Sequence, residues 1–253
     1  MALPREHGGW GLTLEPCLLG LLVAWSASGL FLALAAGMSF LARTPLRIAL
    51  VDLHRSRTLE RTKLAHRLFA VELALLIALA AAAVALSHGQ FWVPALVAAP
   101  MVLTAFWFEM RSRGRRLLPE LAGSVGICSV ATMTVLAAGG SAGLAIGCWL
   151  VLGARAVTSI PHVRSMIARL HGRHQAPVIC AVSDSAALAL VVVATLVCHP
   201  LVAGGVAVVA VILAQRLTAR STTARPVIIG IRQTLMGLAV VAASAVGVLV
   251  MTK

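Results

Sequence analysis

Long apolar runs alternate along this chain with short polar stretches, and the polar stretches are of two kinds. Charged ones occupy residues 5–7, 43–67, 111–116, 162–174 and 216–225. Between them lie small neutral ones at 25–29, 87–90, 139–141 and 198–200, which contain no Lys or Arg. The apolar runs are continuous rather than alternating at every second position, so they read as helices and not as strands of a transmembrane barrel. Each is close to the ~20 residues that cross a hydrocarbon core of about 30 Å. The pattern predicts nine spans, at about 9–25, 28–43, 65–86, 91–108, 120–138, 142–160, 177–197, 201–215 and 227–250. The expected fold is an all-α polytopic transmembrane bundle, with residues 1–253 forming a single transmembrane domain.

Composition agrees. The 253 residues are 60% hydrophobic and 11% charged, with a mean hydropathy of +0.98. With an odd number of spans and the arginines confined to alternate loops, the positive-inside rule places the N-terminus in the cytoplasm and the C-terminus outside. A formal net charge of +13 suggests nucleic acid in a soluble protein. Here the basic residues are spread over loops on one side with no polar domain between them, so nucleic acid is not an expected partner and the lipid bilayer is. The five cysteines are scattered and read as small buried hydrophobes, and no metal site is expected.

Two charged loops are long enough for structure of their own, at 44–62 and 161–175. In the second, Val163, Met166, Ile167 and Leu170 fall on one helical stripe, which predicts a short amphipathic helix lying at the interface. The neutral connections read as tight turns.

Glu15, Glu72, Arg155, Asp184 and Arg232 fall inside apolar runs. Counted from the nearest charged loop they lie roughly 8–10 Å deep at 1.5 Å per residue, which predicts a shared polar shelf. Intramembrane ionisable groups are expensive unless paired or hydrated, and they mark functional sites by default. His7, Gly11 and Glu15 share a helical face, which aims His7 at the same interior; the alternative makes this segment an interface anchor through Trp10. Arg47 and Asp52 in one long loop, and His162 and Arg164 in the other, complete a candidate receptor for a phosphate or carboxylate. Arg55, Arg57, Arg61 and the arginines of 111–116 read as solvated loop charges.

The opening Pro4-Arg5-Glu6-His7-Gly8-Gly9-Trp10, with Arg155-Ala156-Val157, His162-Val163-Arg164 and Arg225-Pro226-Val227-Ile228-Ile229-Gly230, resembles the YwiC-like family of bacterial membrane proteins, which implies a multi-pass protein of the inner (plasma) membrane. The layout also resembles the UbiA superfamily of membrane prenyltransferases, which implies nine helices and active-site loops after the second and sixth. In that superfamily aspartate-rich motifs hold magnesium and a prenyl diphosphate. The corresponding segments here, 47–55 and 155–164, contain Asp52 as their single carboxylate, so metal-dependent diphosphate binding is not expected and no cofactor is assigned.

The functional expectation is binding or modification of an anionic-headed amphiphile, a lipid or prenyl-type molecule. The head would sit among Arg47, Arg155, His162, Arg164 and Arg232, balanced by Glu15, Asp52, Glu72 and Asp184. His7 or His162 would move protons if chemistry occurs. The alternatives are a small-solute or proton-coupled transporter, and an assembly protein without a ligand.

Overall fold

The computed structural model of the protein describes residues 7–54, 60–87, 89–111, 116–173, 176–218 and 226–251, with the side chains of all of these except 7–9, 53 and 54. The described chain is helical throughout. The helices are α1 (His7–Val23), α2 (Ala27–His54), α3 (Glu60–Leu86), α4 (Val93–Met110), α5 (Leu117–Ile127), α6 (Ser129–Ala137), α7 (Ala142–Leu170), α8 (Pro177–Val197), α9 (Val202–Thr218) and α10 (Pro226–Met251). A 3-10 turn, His199–Leu201, leads into α9. Helices α5 and α6 form one segment interrupted at Cys128, so the nine expected spans each find a helical counterpart. Eight of these are long and apolar enough to cross a membrane, and α1 adds a shorter apolar helix, Trp10–Val23.

Two helices run farther than hydropathy suggests. The apolar part of α2 ends near Arg43, yet the helix continues through Pro45 to His54. Likewise α7 continues through Pro161 to Leu170, so the expected separate interfacial helix is the last part of α7. Its sides are reversed in part: His162 and Ser165 are buried and Ile167 and Leu170 exposed, while Val163 and Met166 are half-buried and Arg169 is exposed. In a lipid environment the outward face is the apolar one, so an amphipathic stripe near the membrane turns its polar side toward the protein.

The bundle is built around α7, which packs against α1, α5, α6, α8, α9 and α10. Leu19, Val135, Val151, Leu152, Leu201, Val208 and Val240 form its fully buried apolar centre. Helix α1 lies between α2 and α10 and packs on both. Helix α3 is peripheral; its principal neighbour is α2.

At the end away from the arginines, connections are tight and helices approach through small residues. Gly139 (φ 78°) lets the chain reverse after α6, and Gly140 N–H closes the turn on the Val135 carbonyl at 2.9 Å. Ser141 then caps α7 by accepting from Leu144 N–H. Gly204 packs directly on Ser244, and Ser28 donates to the Ala137 carbonyl at 3.3 Å. These contacts fasten this end without charge.

Candidate functional site

A connected line of polar groups crosses the interior from α8 to α1. At its outer end the Arg216 guanidinium, half-exposed on α9, pairs with Asp184 of α8 at 2.5 Å. Thr158 of α7 donates to the other Asp184 oxygen at 2.6 Å and stands 3.2 Å from the Gln215 Oε1. The Gln215 amide, on α9, donates to Ser159 Oγ at 2.9 Å and reaches Gln233 Oε1 of α10 at 3.4 Å. The Gln233 carbonyl accepts from Arg155 Nη2 at 2.5 Å, and Arg155 pairs with Glu15 of α1 at 3.1 Å. Five helices contribute: α8, α9, α7, α10 and α1.

Local sequence explains the geometry. Arg155, Thr158, Ser159 and His162 recur at spacings of three, one and three, so they share one broad side of α7. That side is buried in all four cases. Gly237 makes room: a Cβ there would collide with the Glu15 carboxylate and press on Arg155 Nη2. Gly11, one turn before Glu15, brings α1 against Thr234 of α10.

His162, Ser165 and Arg169, all on α7, lie beside this line. His162 is buried and feels the charges of Arg169, Asp184 and Arg216. Arg169 Nη2 donates to Ser165 Oγ at 3.2 Å.

The remaining residues expected at the site are placed as follows. Asp52 is buried in the α2–α3 hairpin, where Thr62 Oγ1 donates to it at 2.6 Å and Arg61 pairs with it at 3.1 Å. Arg164 pairs with Glu120 of α5 at 2.8 Å. Glu72 is buried on α3 with no described hydrogen bond or ion pair. Arg47 and Arg232 are exposed, on α2 and α10, and no described carboxylate pairs with either. The His7 side chain lies outside the described residues, as do Arg5, Arg55 and Arg57. Thus Glu15, Arg155 and Asp184 come together in one network, while Glu72 and Arg232 stand apart from it.

The common depth expected for these groups changes with the extent of α7. Arg155 lies fifteen residues from Leu170, about 22 Å along the helix at 1.5 Å per residue, because the helix does not stop at Pro161. Among the described residues no group of three His, Cys, Asp or Glu could hold a metal ion.

Thr158, Gln215, Gln233 and Arg216 belong to the line although they are not charges inside apolar runs. The first three are neutral, so a search for charges inside apolar runs does not find them; amides in such runs, as at 215 and 233, were the available signal. Arg61 read as a solvated loop charge and instead closes on Asp52.

Comparison with protein families gives a match to the YwiC-like protein model over residues 3–135. The chain belongs to the YwiC-like family. No curated protein and no solved structure matches it. The matched stretch of this YwiC-like protein holds α1 to α5 and most of α6, and with them Glu15, Arg47, Asp52 and Glu72. Arg155, Asp184, Gln215 and Gln233 follow it, so the polar line joins Glu15 of the matched part to residues beyond it.

Proposed function

We propose that this YwiC-like membrane protein binds an amphiphile with an anionic head and an apolar tail, at the arginine-rich end of the bundle, and that this end faces the cytoplasm. The observation that carries the reading is a difference among the arginines. Arg155 and Arg164 are neutralised by Glu15 and Glu120. Arg47 and Arg232, on the helices that flank α1, are exposed without a described carboxylate. A bound anion is attracted by cations left over after folding; paired ones position the helices instead.

The register of α1 supports the placement. Gly11 abuts Thr234, so Arg232 stands about 3 Å nearer the arginine-rich end than Thr234, level with Gly9. Trp10 packs edge-on against Phe40 of α2, with ring centroids 5.0 Å apart. The start of α1, within the Pro4–Trp10 motif, therefore lies between the two helices that carry these arginines. A guanidinium on each side would hold a phosphate or carboxylate while the tail remains in the bilayer. The prenyl diphosphates implied by the UbiA resemblance belong to this ligand class, with arginine in place of magnesium. If the bound molecule is also modified, buried His162 is the proton-transfer candidate within the described residues.

A solute carrier is the weaker reading, because the described ion pairs other than the mid-helix Glu15–Arg155 lie toward the same end and the opposite end is joined by small residues. The test is lipid analysis of the purified protein by native mass spectrometry. The double variant Arg47→Ala, Arg232→Ala should lose most of the copurifying anionic lipid, about tenfold or more for each charge-assisted contact removed. Retention of that lipid by the folded variant overturns the reading, and a change in abundance alone favours an assembly protein.

A further inference from the structure

Helix α3 has four buried residues, Thr62, Ala65, Glu72 and Ala83. Three are small, as expected for a helix that closes tightly on α2. The fourth is a carboxylic acid. Its neighbours Val71, Leu73 and Leu75 are exposed at 68%, 38% and 46%, whereas Glu72 is 9% exposed. The single acid of the membrane-depth part of α3 is thus buried, on a helix whose principal neighbour is α2 and most of whose side chains are exposed.

Nothing described neutralises it. Glu72 Oε2 is buried without a hydrogen-bond partner, and no described cation pairs with the residue. The charged groups of α2 are Arg43, Arg47 and Asp52. Arg43 is taken by Glu109 of α4, and Asp52 by Arg61 and Thr62. Arg47 is exposed and stands nearer the arginine-rich end. On α3 itself Lys63 pairs with Glu60, and His66 and Arg67 are exposed.

The register of the hairpin sharpens the chemistry. Thr62 lies opposite Asp52. The helices are antiparallel, so Glu72, ten residues on, lies about level with Ala42. Pro45 has no N–H to give to the Leu41 carbonyl four residues earlier. At about this level α2 offers the Leu41 carbonyl as a spare acceptor, and its one cation there, Arg43, is already paired with Glu109. An ionised carboxylate finds no support there; a carboxylic acid can donate. A metal ion would need further oxygen ligands, and no described His, Cys, Asp or Glu cluster supplies them.

We infer that Glu72 is a proton-binding site within the membrane, holding its proton at neutral pH at the α2–α3 seam, beside side chains that face the lipid from which an apolar reagent arrives. The proton is held whether or not an amphiphile occupies Arg47 and Arg232, so the two proposals stand or fall separately. A hydrophobic carbodiimide tests this. The carboxylic oxygen bonds to the central carbon of N,N′-dicyclohexylcarbodiimide, the acid proton passes to one of its nitrogens, and rearrangement leaves a stable N-acylurea.

The full-length protein in proteoliposomes at neutral pH is treated with this reagent and mapped by peptide mass spectrometry. The expected adduct is on Glu72, at least tenfold above Glu15 and Asp184, which are held by Arg155 and Arg216. A membrane-impermeant, water-soluble carbodiimide should leave Glu72 unmodified. Absence of the Glu72 adduct, or equal labelling of all three acids, overturns the inference. Infrared difference spectra of the wild type against Glu72→Gln give a second readout: loss of a protonated-carboxyl C=O band is expected, and loss of a carboxylate band instead also overturns it.

Discussion

The Glu15 carboxylate and the Arg155 guanidinium meet 3.1 Å apart, and each side chain is only 3% exposed. They join α1 to α7 across sequence positions far apart, and neither has water to fall back on. Removing one member of such a pair leaves the other charge stranded, which costs about 3–5 kcal/mol, whereas replacing both with apolar groups of similar size is often near neutral. Arg155→Met alone and Glu15→Leu alone should therefore sharply reduce the yield of folded protein and its melting temperature in detergent. The double variant should recover most of both. Equal damage in all three would show that the pair is not the feature that matters. By contrast, Arg43→Ala breaks a pair that is 44% exposed on the arginine side and should change stability by less than about 1 kcal/mol.

Gly237 and Gly230 lie on the same helix and should respond in opposite directions to alanine. A Cβ at 237 enters the space of the Glu15 carboxylate, which cannot swing away without leaving Arg155; one at 230 meets nothing within 4 Å. Gly237→Ala should destabilise by about 1–3 kcal/mol through overpacking. Gly230→Ala should be neutral, or gain up to about 1 kcal/mol from helix propensity. Thermal unfolding of the two variants side by side decides it.

The Gln215 amide is buried and ties α9 to α7 through Ser159 and Thr158. Gln215→Leu should cost about 1–3 kcal/mol, since it leaves buried polar partners unmet. A double-mutant cycle with Ser159→Ala should show coupling between the two positions; strict additivity would mean that the hydrogen bond contributes nothing.

Cysteines introduced at the two ends of a cysteine-free variant should separate by sidedness. Ser87→Cys and Ser141→Cys should react with an impermeant maleimide in intact cells, and Arg116→Cys only after permeabilisation. The reverse pattern would place the arginine-rich end outside.

The spans were legible in the sequence because a bilayer imposes length and apolarity on whatever crosses it. Where helices end was less legible. Arg43, Pro45 and Arg47 look like loop signals, as do Pro161, His162 and Arg164, yet α2 and α7 run on past them. Hydropathy marks where lipid stops, not where the helix stops; the polar turns beyond can remain helical in the headgroup layer. The site was legible in part for a related reason. Glu15, Arg155 and Asp184 announce themselves as charges in apolar runs, but what joins them is Thr158, Gln215 and Gln233, whose neutral side chains carry no such mark. Which cation would take which carboxylate also depends on helix order around the bundle, which one-dimensional patterning does not encode.

The contrast between the two ends has a mechanical consequence. Gly204 on Ser244, and Ser28 on the Ala137 carbonyl, are short-range contacts that vanish with a small displacement and have no substitute in hydrocarbon. The half-exposed arginines at the other end, Arg43 and Arg216, can trade their carboxylates for water or lipid phosphates as the helices part. Breathing of the helices would then pivot about the neutral end, like a fan held at its rivet, and widen toward the arginines.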